Sequence, residues 1–241
     1  MIDNIYLNFF EIFTKIIDST NKKKILNYFK SKFKGNEIVL FDIGAHRGET
    51  ISLFKKLNIY KIYAFEPNQN LFEYLENKKI KSDRIKIFNF ALGIKNEEKY
   101  LNILQDTSSS TFNNLNVKTE YFKRKNKYIN YFSRKKNLIR DTQKVNIVKT
   151  SDFFKKYEID KVNIFKMDTE GYEYNILCGL GSDNFKKIDY IYFEHHYDLM
   201  LKKGYKFKDI NEILVKNNFQ PSFKVRMKFR KSFEYIYEKK R

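Results

Sequence analysis

The chain has 241 residues, 42% of them hydrophobic, which is enough to bury one sizeable core. A single cysteine, Cys178, excludes an internal disulfide framework, and no apolar run reaches the roughly 18 residues that cross a bilayer. The formal net charge of +19 is concentrated in residues 118–140 and 222–241, which favours an anionic substrate or a membrane face as partner.

The N-terminal part of the chain is predicted to be helical. Apolar residues at helical spacing predict one helix at residues 5–17 and a second from Asn21 to Phe33, so that residues 1–35 form an N-terminal helical segment. These residues lack the basic segment of a secretory signal, and we expect a cytoplasmic protein.

Residues 36–241 are predicted to form the main domain. Short apolar runs predict strands, and helical patterns follow several of them. The predicted strands of regular order cover 37–45, 62–66, 85–92, 162–167, 189–193, 219–225 and 233–238. Because parallel neighbours need a crossover between them, this alternation predicts a doubly wound α/β fold with a mostly parallel sheet.

The alternation is interrupted in the middle of the chain. A strand is predicted at 97–104, a basic insertion at about 112–144, and a short strand at 145–148. The insertion interleaves aromatic residues with Lys and Arg, as nucleic-acid-binding surfaces do. Its aromatic residues are Tyr121, Phe122, Tyr128, Tyr131 and Phe132.

Candidate ligand-binding residues follow the first predicted strand. Asp42 can accept a hydrogen bond from an amine, directly or through water, and Gly44 lets the backbone approach a ligand closely. Gly48 allows tight packing where a helix begins, and the N-terminus of that helix offers free N–H groups to a carboxylate. An acid before the glycine suits an amino-acid-like ligand better than a pyrophosphate.

Polar residues also end the next two predicted strands. Glu66 can accept hydrogen bonds from both hydroxyls of a ribose. Asn89 and Ala91 close the third strand, where an adenine could lie. In a doubly wound sheet these strand ends meet at one edge. The order of the three strand ends predicts an adenosyl ligand.

These motifs resemble the FkbM family of methyltransferases. The resemblance covers about residues 37–200, and its most specific part is the Asp-x-Glu-Gly-x-Glu element; His46 departs from it, because the family commonly has Asn there. The motifs are Asp42–Gly48, Phe65–Pro67, Asn89–Gly93, Lys166–Glu173 and Phe193–His195.

The resemblance implies a class I methyltransferase fold with a seven-stranded, Rossmann-like sheet, and S-adenosyl-L-methionine as methyl donor. It assigns cofactor contacts to Asp42, Gly44, Gly48, Glu66 and Asn89, and the edge of the active site to Asp168 and Glu170. Their chain neighbours Ala45 and Ala91 are further candidates for cofactor contacts. It also implies O-methylation of a sugar, glycan or related hydroxylated metabolite.

Transfer to an alcohol benefits from a base that takes the hydroxyl proton. Asp168, at the end of a predicted strand, and His195 are the candidate bases, and Glu194 is the third candidate catalytic residue. No metal site is assigned, although Mg²⁺ held by Asp168 and Glu194 is an alternative. Glu170 is predicted either to cap a helix or to act in the site, and His196 to be a solvated loop residue.

Two other functions remain open from the sequence. The basic segments favour an RNA methyltransferase, but the fourth strand ends in Met-Asp-Thr-Glu rather than in the Asn/Asp-Pro-Pro-aromatic pattern used on exocyclic base amines. A non-catalytic module that only binds the cofactor is the other alternative.

Overall fold

The computed structural model describes residues 19–78, 82–104, 110–120, 122–124, 126–127, 139–227 and 231–240. Residues 19–33 are helical, as predicted for the second N-terminal helix, whereas the helix predicted at 5–17 lies outside the described residues. Further helices in the described part of the chain cover Glu49–Phe54, Gln69–Asn77, Thr150–Lys156, Glu173–Leu180, Ser182–Phe185 and Phe207–Lys216.

The strands in chain order are β1 (Ile38–Ile43), β2 (Ile59–Phe65), β3 (Ile85–Phe88), β4 (Ala91–Gly93), β5 (Glu97–Leu104), β6 (Ser110–Thr111), β7 (Ile139–Lys149), β8 (Val162–Met167), β9 (Ile188–His196), β10 (Phe219–Arg226) and β11 (Ser232–Lys239). They form two sheets, and the larger sheet has seven strands in the order β10-β11-β9-β8-β1-β2-β3.

The seven-stranded sheet is mostly parallel, because only β11 runs antiparallel to its neighbours, β9 and β10. The strand order reverses between β1 and β8, which lie side by side in the middle of the sheet. Ligands of doubly wound sheets bind at such a reversal, beyond the carboxyl ends of the strands. The predicted α/β class is thereby confirmed.

Alternating side chains of the central strands fill a core on each face of this sheet. One face carries Leu40, Ile164 and Tyr190 and packs against Ile25 and Phe29 of the helix at 19–33. Because strand side chains alternate between faces, Phe41, Phe165 and Ile191 point the other way. They pack with the helices Thr150–Lys156, Glu173–Leu180 and Phe207–Lys216.

The predicted third strand, 85–92, is corrected by the structure. It ends at Phe88, and residues Ala91–Gly93 form β4 of a separate four-stranded sheet with the order β4-β7-β5-β6. Ala91 pairs with Ile147 there and not with β2. A continuous apolar run does not reveal that two halves of it pair with different partners.

The predicted insertion at 112–144 is also corrected at its C-terminal end. β7 begins at Ile139 and pairs with β5 in antiparallel register, with Leu104 opposite Ile139. The strand predicted at 145–148 is therefore the last part of an 11-residue strand. Residues 128–138, the middle of the insertion, lie outside the described residues.

Candidate active site

A cavity of about 330 Å³ opens at the carboxyl ends of the central strands. Gly44 and Ala45 line it after β1, Glu66 after β2, and Asp168 after β8. The structure thus brings together residues that the sequence predicted from separate strand ends. Gly48, Asn89 and His195 are not among the residues that line it.

Gly44 is required by a close approach of two loops. Its φ is +83°, and a Cβ atom there would lie 2.0 Å from the backbone oxygen of Asp168. The backbone nitrogens of Gly44 and Ala45 both donate to the carbonyl of Phe65 at 3.0 Å. Gly48 has a φ of 79° at the start of the helix Glu49–Phe54. Both glycines therefore adopt backbone conformations that other residues rarely reach.

Glu66 lines the cavity with a nearly buried carboxylate. Its Oε2 accepts the backbone N–H of His46 at 2.8 Å, and its Oε1 accepts that of Asn68 at 2.9 Å. Burial raises the pKa of Glu66, although these two hydrogen bonds act in the opposite direction. Each carboxylate oxygen has a further lone pair, so Glu66 can still accept hydroxyl groups.

Asn89 supports Glu66 from outside the cavity. Its side-chain amide donates to the carbonyls of Glu66 and Pro67 at 3.0 and 3.3 Å. Asn68 then caps the helix Gln69–Asn77 by accepting the N–H groups of Asn70 and Leu71. Asn89 therefore holds the turn that carries Glu66, whereas Ala91 lies in the cavity wall.

Asp42 lies beneath the cavity and is fully buried. Lys166, opposite it in the β1–β8 register, donates to Asp42 Oδ1 at 2.8 Å and to the Gly44 carbonyl at 3.4 Å. Lys166 thus occupies Oδ1 of Asp42, whereas Oδ2 has no hydrogen-bond partner among the described residues. A contact of Asp42 with a ligand amine, directly or through water, stays a prediction.

Lys166 lines the cavity and was not assigned a role from the sequence. Its ammonium lies 3.8 Å from Asp168 Oδ2, and its side chain is 5% exposed, against 40% for Asp168. Burial lowers the pKa of Lys166, but the charges of Asp42 and Asp168 outweigh burial and raise it. A lysine inside the apolar run Val162–Met167 was the available signal, because lysine is rarely buried without a partner.

The turn after Asp168 is held by Glu173. Its Oε1 accepts the N–H groups of Thr169 and Gly171 and the Thr169 hydroxyl, and its Oε2 accepts the Tyr205 hydroxyl. Glu170 lines the cavity with a φ of +50°. Of the two glutamates in this motif, Glu173 thus organises the backbone and Glu170 faces the cavity.

Glu194 and Glu234 form the far wall of the cavity. They lie opposite each other on β9 and β11, and both are buried. Tyr192 donates its hydroxyl to Glu234 Oε1 at 2.9 Å. The predicted catalytic residue Glu194 therefore lies in the cavity, and Glu234 is a lining residue that the sequence did not indicate.

His195 points to the opposite face of the sheet and packs against Tyr197, Tyr205 and Phe207. Burial, assisted by the positive charge of Lys203, lowers its pKa to about 3. Since neighbours along a strand alternate between faces, Glu194 and His195 cannot share one cavity. This geometry is inconsistent with His195 as the base of this site.

His196 is mostly buried, which corrects the prediction of a solvated loop residue. Its Nε2 lies 3.4 Å from Glu170 Oε2 and 3.7 Å from Glu194 Oε1, and Asp198 lies on its other side. Burial lowers the pKa of His196, but these carboxylates raise it to about 10. His196 is thus a cation that links Glu170 to Glu194.

The described residues contain neither a metal-binding cluster nor a membrane-spanning helix. No group of three or more His, Cys, Asp or Glu residues there is arranged to hold a metal ion. None of the helices within those ranges is long and apolar enough to span a membrane.

Solved structures that are similar to this chain include methyltransferases of several kinds. Magnesium protoporphyrin IX methyltransferase from Synechocystis, with bound SAM, is 8% identical with a TM-score of 0.52, over 93% of this chain and 81% of that one. TrmK from M. capricolum, in complex with S-adenosyl-homocysteine, is 12% identical with a TM-score of 0.48, over 89% of this chain and 67% of that one.

Methyltransferase FkbM from Methylobacillus flagellatus is 16% identical with a TM-score of 0.49, over 83% of this chain. The chain spans only 43% of the length of that protein. No curated protein matches the sequence. The model of the methyltransferase FkbM domain matches residues 42–221, which include the ends of β1, β2 and β8 at the cavity, and the chain therefore belongs to this family.

Proposed function

We propose that the protein transfers a methyl group from S-adenosyl-L-methionine to a hydroxyl of a sugar, glycan or related metabolite, with Asp168 as the general base. Membership of the FkbM family supports methyl transfer. The observation that carries the proposal is the position of Asp168, whose partly exposed carboxylate faces the cavity lined by Gly44 and Glu66.

The residues around the cavity fit the proposed cofactor. Gly44 has no side chain between the backbone and the cavity, and Glu66 offers two oxygens to ribose hydroxyls. Leu71, Leu92 and Phe112 give the wall an apolar part suited to a purine ring. When bound, this cofactor supplies an electrophilic methyl group on a positively charged sulfur.

Asp168 is positioned by the backbone around it. Its N–H donates to the carbonyl of Ile43 at 2.9 Å, which ties it to the end of β1. Lys166 lies beside the carboxylate and is itself fixed by Asp42. In the proposed reaction Asp168 takes the proton of the acceptor hydroxyl as the new carbon–oxygen bond forms and the carbon–sulfur bond breaks.

The variant Asp168→Asn tests this assignment. It keeps the size of the side chain and removes the basic carboxylate, so we expect turnover to fall roughly 10²–10⁴-fold. Calorimetry should give the same affinity for S-adenosylhomocysteine as in the wild type. Asp160→Asn, at a side chain that is 94% exposed, is the matched control and should keep full turnover. Near-normal turnover in Asp168→Asn would contradict the role of Asp168 as base.

The class of acceptor is tested with labelled donor. Methyl groups transferred into a fractionated cell extract should enter glycans or small hydroxylated metabolites. Label in RNA would favour the second candidate, an RNA methyltransferase, which the nine Lys and Arg residues of segment 118–140 support.

A further inference from the structure

β11 brings a residue from beyond the matched family domain into the cavity. The FkbM domain matches residues 42–221, whereas Glu234 follows it in the chain and lines the cavity next to Glu194. The two side chains are direct cross-strand neighbours, because β9 and β11 pair in antiparallel register. Such neighbours have Cβ atoms about 5 Å apart. One ligand group can therefore contact both carboxyl groups.

Glu234 is held on one side only. Its Oε1 accepts the Tyr192 hydroxyl at 2.9 Å. Its Oε2 is buried, and within the described part of the chain this oxygen has no hydrogen-bond partner. A buried polar atom without a partner is costly, and because Glu234 lines the cavity this oxygen is placed to bond a ligand. The residue as a whole is 7% exposed.

The charges around the two acids differ. Glu194 has the cationic His196 beside it. Glu234 is buried next to Glu194 and Asp168, and these effects raise its pKa to about 8 although the Tyr192 hydrogen bond and Lys22 lower it. Lys166 faces the same group from β8. At pH 7 Glu234 is therefore mainly a neutral carboxylic acid that can both donate and accept a hydrogen bond.

We propose that Glu234 is an acceptor-binding residue that selects an uncharged polyhydroxylated compound. Its free Oε2 and the adjacent Glu194 bind hydroxyl groups next to the one that Asp168 deprotonates. This inference rests on the proposed function and narrows its acceptor class to uncharged compounds. A hydroxyl group both donates and accepts, so it matches a neutral acid beside a carboxylate.

The same wall disfavours an acidic acceptor. Asp168, Glu170, Glu194 and Glu234 all line the cavity and outnumber the cations Lys22, Arg47 and Lys166 of its wall, and Lys166 already pairs with Asp42. A carboxylate placed there would meet like charges and lose its hydration. An uncharged glycoside meets neither penalty.

Three glycosides of one size test the selection. Methyl α-glucopyranoside, the corresponding methyl glucuronide and the 2-amino-2-deoxy glycoside carry no charge, a negative charge and a positive charge. Their affinities for the complex of the protein with S-adenosylhomocysteine are measured by NMR titration. We expect the uncharged glycoside to bind at least about tenfold more tightly than the glucuronide. It should also bind more tightly than the amine, because an ammonium group cannot accept a hydrogen bond from the neutral Glu234.

Variants of Glu234 assign the selection to this residue. Glu234→Ala should lower the affinity for the uncharged glycoside about fivefold, because one hydrogen bond is lost, whereas Glu234→Gln should keep the affinity of the wild type. Glu238→Gln, on the same strand but outside the cavity wall, is the control and should bind as the wild type does. Equal affinity for the three glycosides, absence of binding, tighter binding of the amine, or no change in Glu234→Ala would overturn the proposal.

The role of Glu234 and the proposed methyltransferase function are tested by different experiments. Glycoside selection is read from binding and needs no methyl transfer. If S-adenosylhomocysteine does not bind, or if Asp168→Asn is fully active, the proposed function fails. If both of those results are as expected and the glycosides bind without selection, only the role of Glu234 fails.

Discussion

At the scale of single residues, the site is built around unusual backbone conformations. Gly44 and Gly48 have positive φ angles, and so do two residues with side chains, His46 at 49° and Glu170 at 50°. Such conformations cost free energy and persist only where the surroundings fix them. Here Glu66 fixes His46 by accepting its N–H, and Thr111 and Asn113 donate to the carbonyl of Glu170.

Gly44→Ala tests whether the close approach of the two loops is essential. The new methyl group would meet the Asp168 carbonyl at 2.0 Å in addition to the strain of a positive φ, so we expect a loss of ~4 kcal/mol or more in the free energy of unfolding. Gly35→Ala is the control, because its φ is +88° and no atom lies within 4 Å of the added carbon. It should lose only about 1–2 kcal/mol. Equal losses in urea unfolding would contradict the role of the close approach.

At the scale of elements, β1 and β8 are joined across the reversal of strand order by a buried ion pair. Lys166 and Asp42 are 5% and 0% exposed, and their side chains are 2.8 Å apart. Charges so deeply buried are costly when unpaired, since neither water nor a partner compensates them. The pair therefore fixes the ends of both strands, and with them Gly44 and Asp168.

Lys166→Met removes one partner and keeps the length of the side chain. The uncompensated carboxylate of Asp42 should lower the free energy of unfolding by about 3–5 kcal/mol. The double variant Asp42→Asn/Lys166→Met removes both charges and should recover roughly half of this loss. Urea unfolding of the single and double variants measures both. A double variant less stable than Lys166→Met would show that the pair is not the cause.

Much of the central sheet could be predicted from the sequence, because its strands are short apolar runs separated by helical patterns. The strand predicted at 162–167 is β8, and those at 219–225 and 233–238 are parts of β10 and β11. The second sheet could not be predicted, because its pairing joins residues as distant as Ala91 and Ile147.

The site was predictable at the ends of β1, β2 and β8, where an acid follows or ends an apolar run. The face on which a side chain lies was harder, since a one-residue shift reverses it. Glu194 and His195 are adjacent in sequence but lie on opposite faces. Glu234 reaches the cavity only through the β9–β11 register, which no local pattern reveals.

At the scale of the whole molecule, charge is distributed unevenly. The chain has a net charge of +19, yet one side of the cavity is lined by four carboxyl groups. The four acidic residues are Asp168, Glu170, Glu194 and Glu234. Because one of them, Glu234, has a raised pKa, the stability of the fold depends on pH through this site.

Comparison of Glu234→Gln with the wild type isolates this dependence. In the wild type the folded state holds a proton on Glu234 up to about pH 8, whereas the unfolded state loses it near 4.5. This contribution to stability is therefore lost as the pH rises from about 4.5 to 8, by at most about 1.4 kcal/mol per pH unit.

Glu234→Gln cannot ionise, so its stability relative to the wild type should increase from pH 5 to pH 8 in urea unfolding. His195 and His196 contribute equally to the stability of both proteins. The lowered pKa of His195 reduces the free energy of unfolding as the pH falls below 6.5, and the raised pKa of His196 reduces it as the pH rises from 6.5 to about 10. Parallel stability curves for the two proteins would contradict the raised pKa of Glu234.

The backbone hydrogen bond from Asp168 to Ile43 allows one side of the cavity to be changed by protein engineering without the other. The distance from the Gly44 loop to the proposed base is set by the backbone, with Gly44 packed against the Asp168 carbonyl. The opposite wall comes from side chains of β9 and β11. Positions 194 and 234 can therefore be redesigned for a new substrate while the backbone around Gly44 and Asp168 remains unchanged.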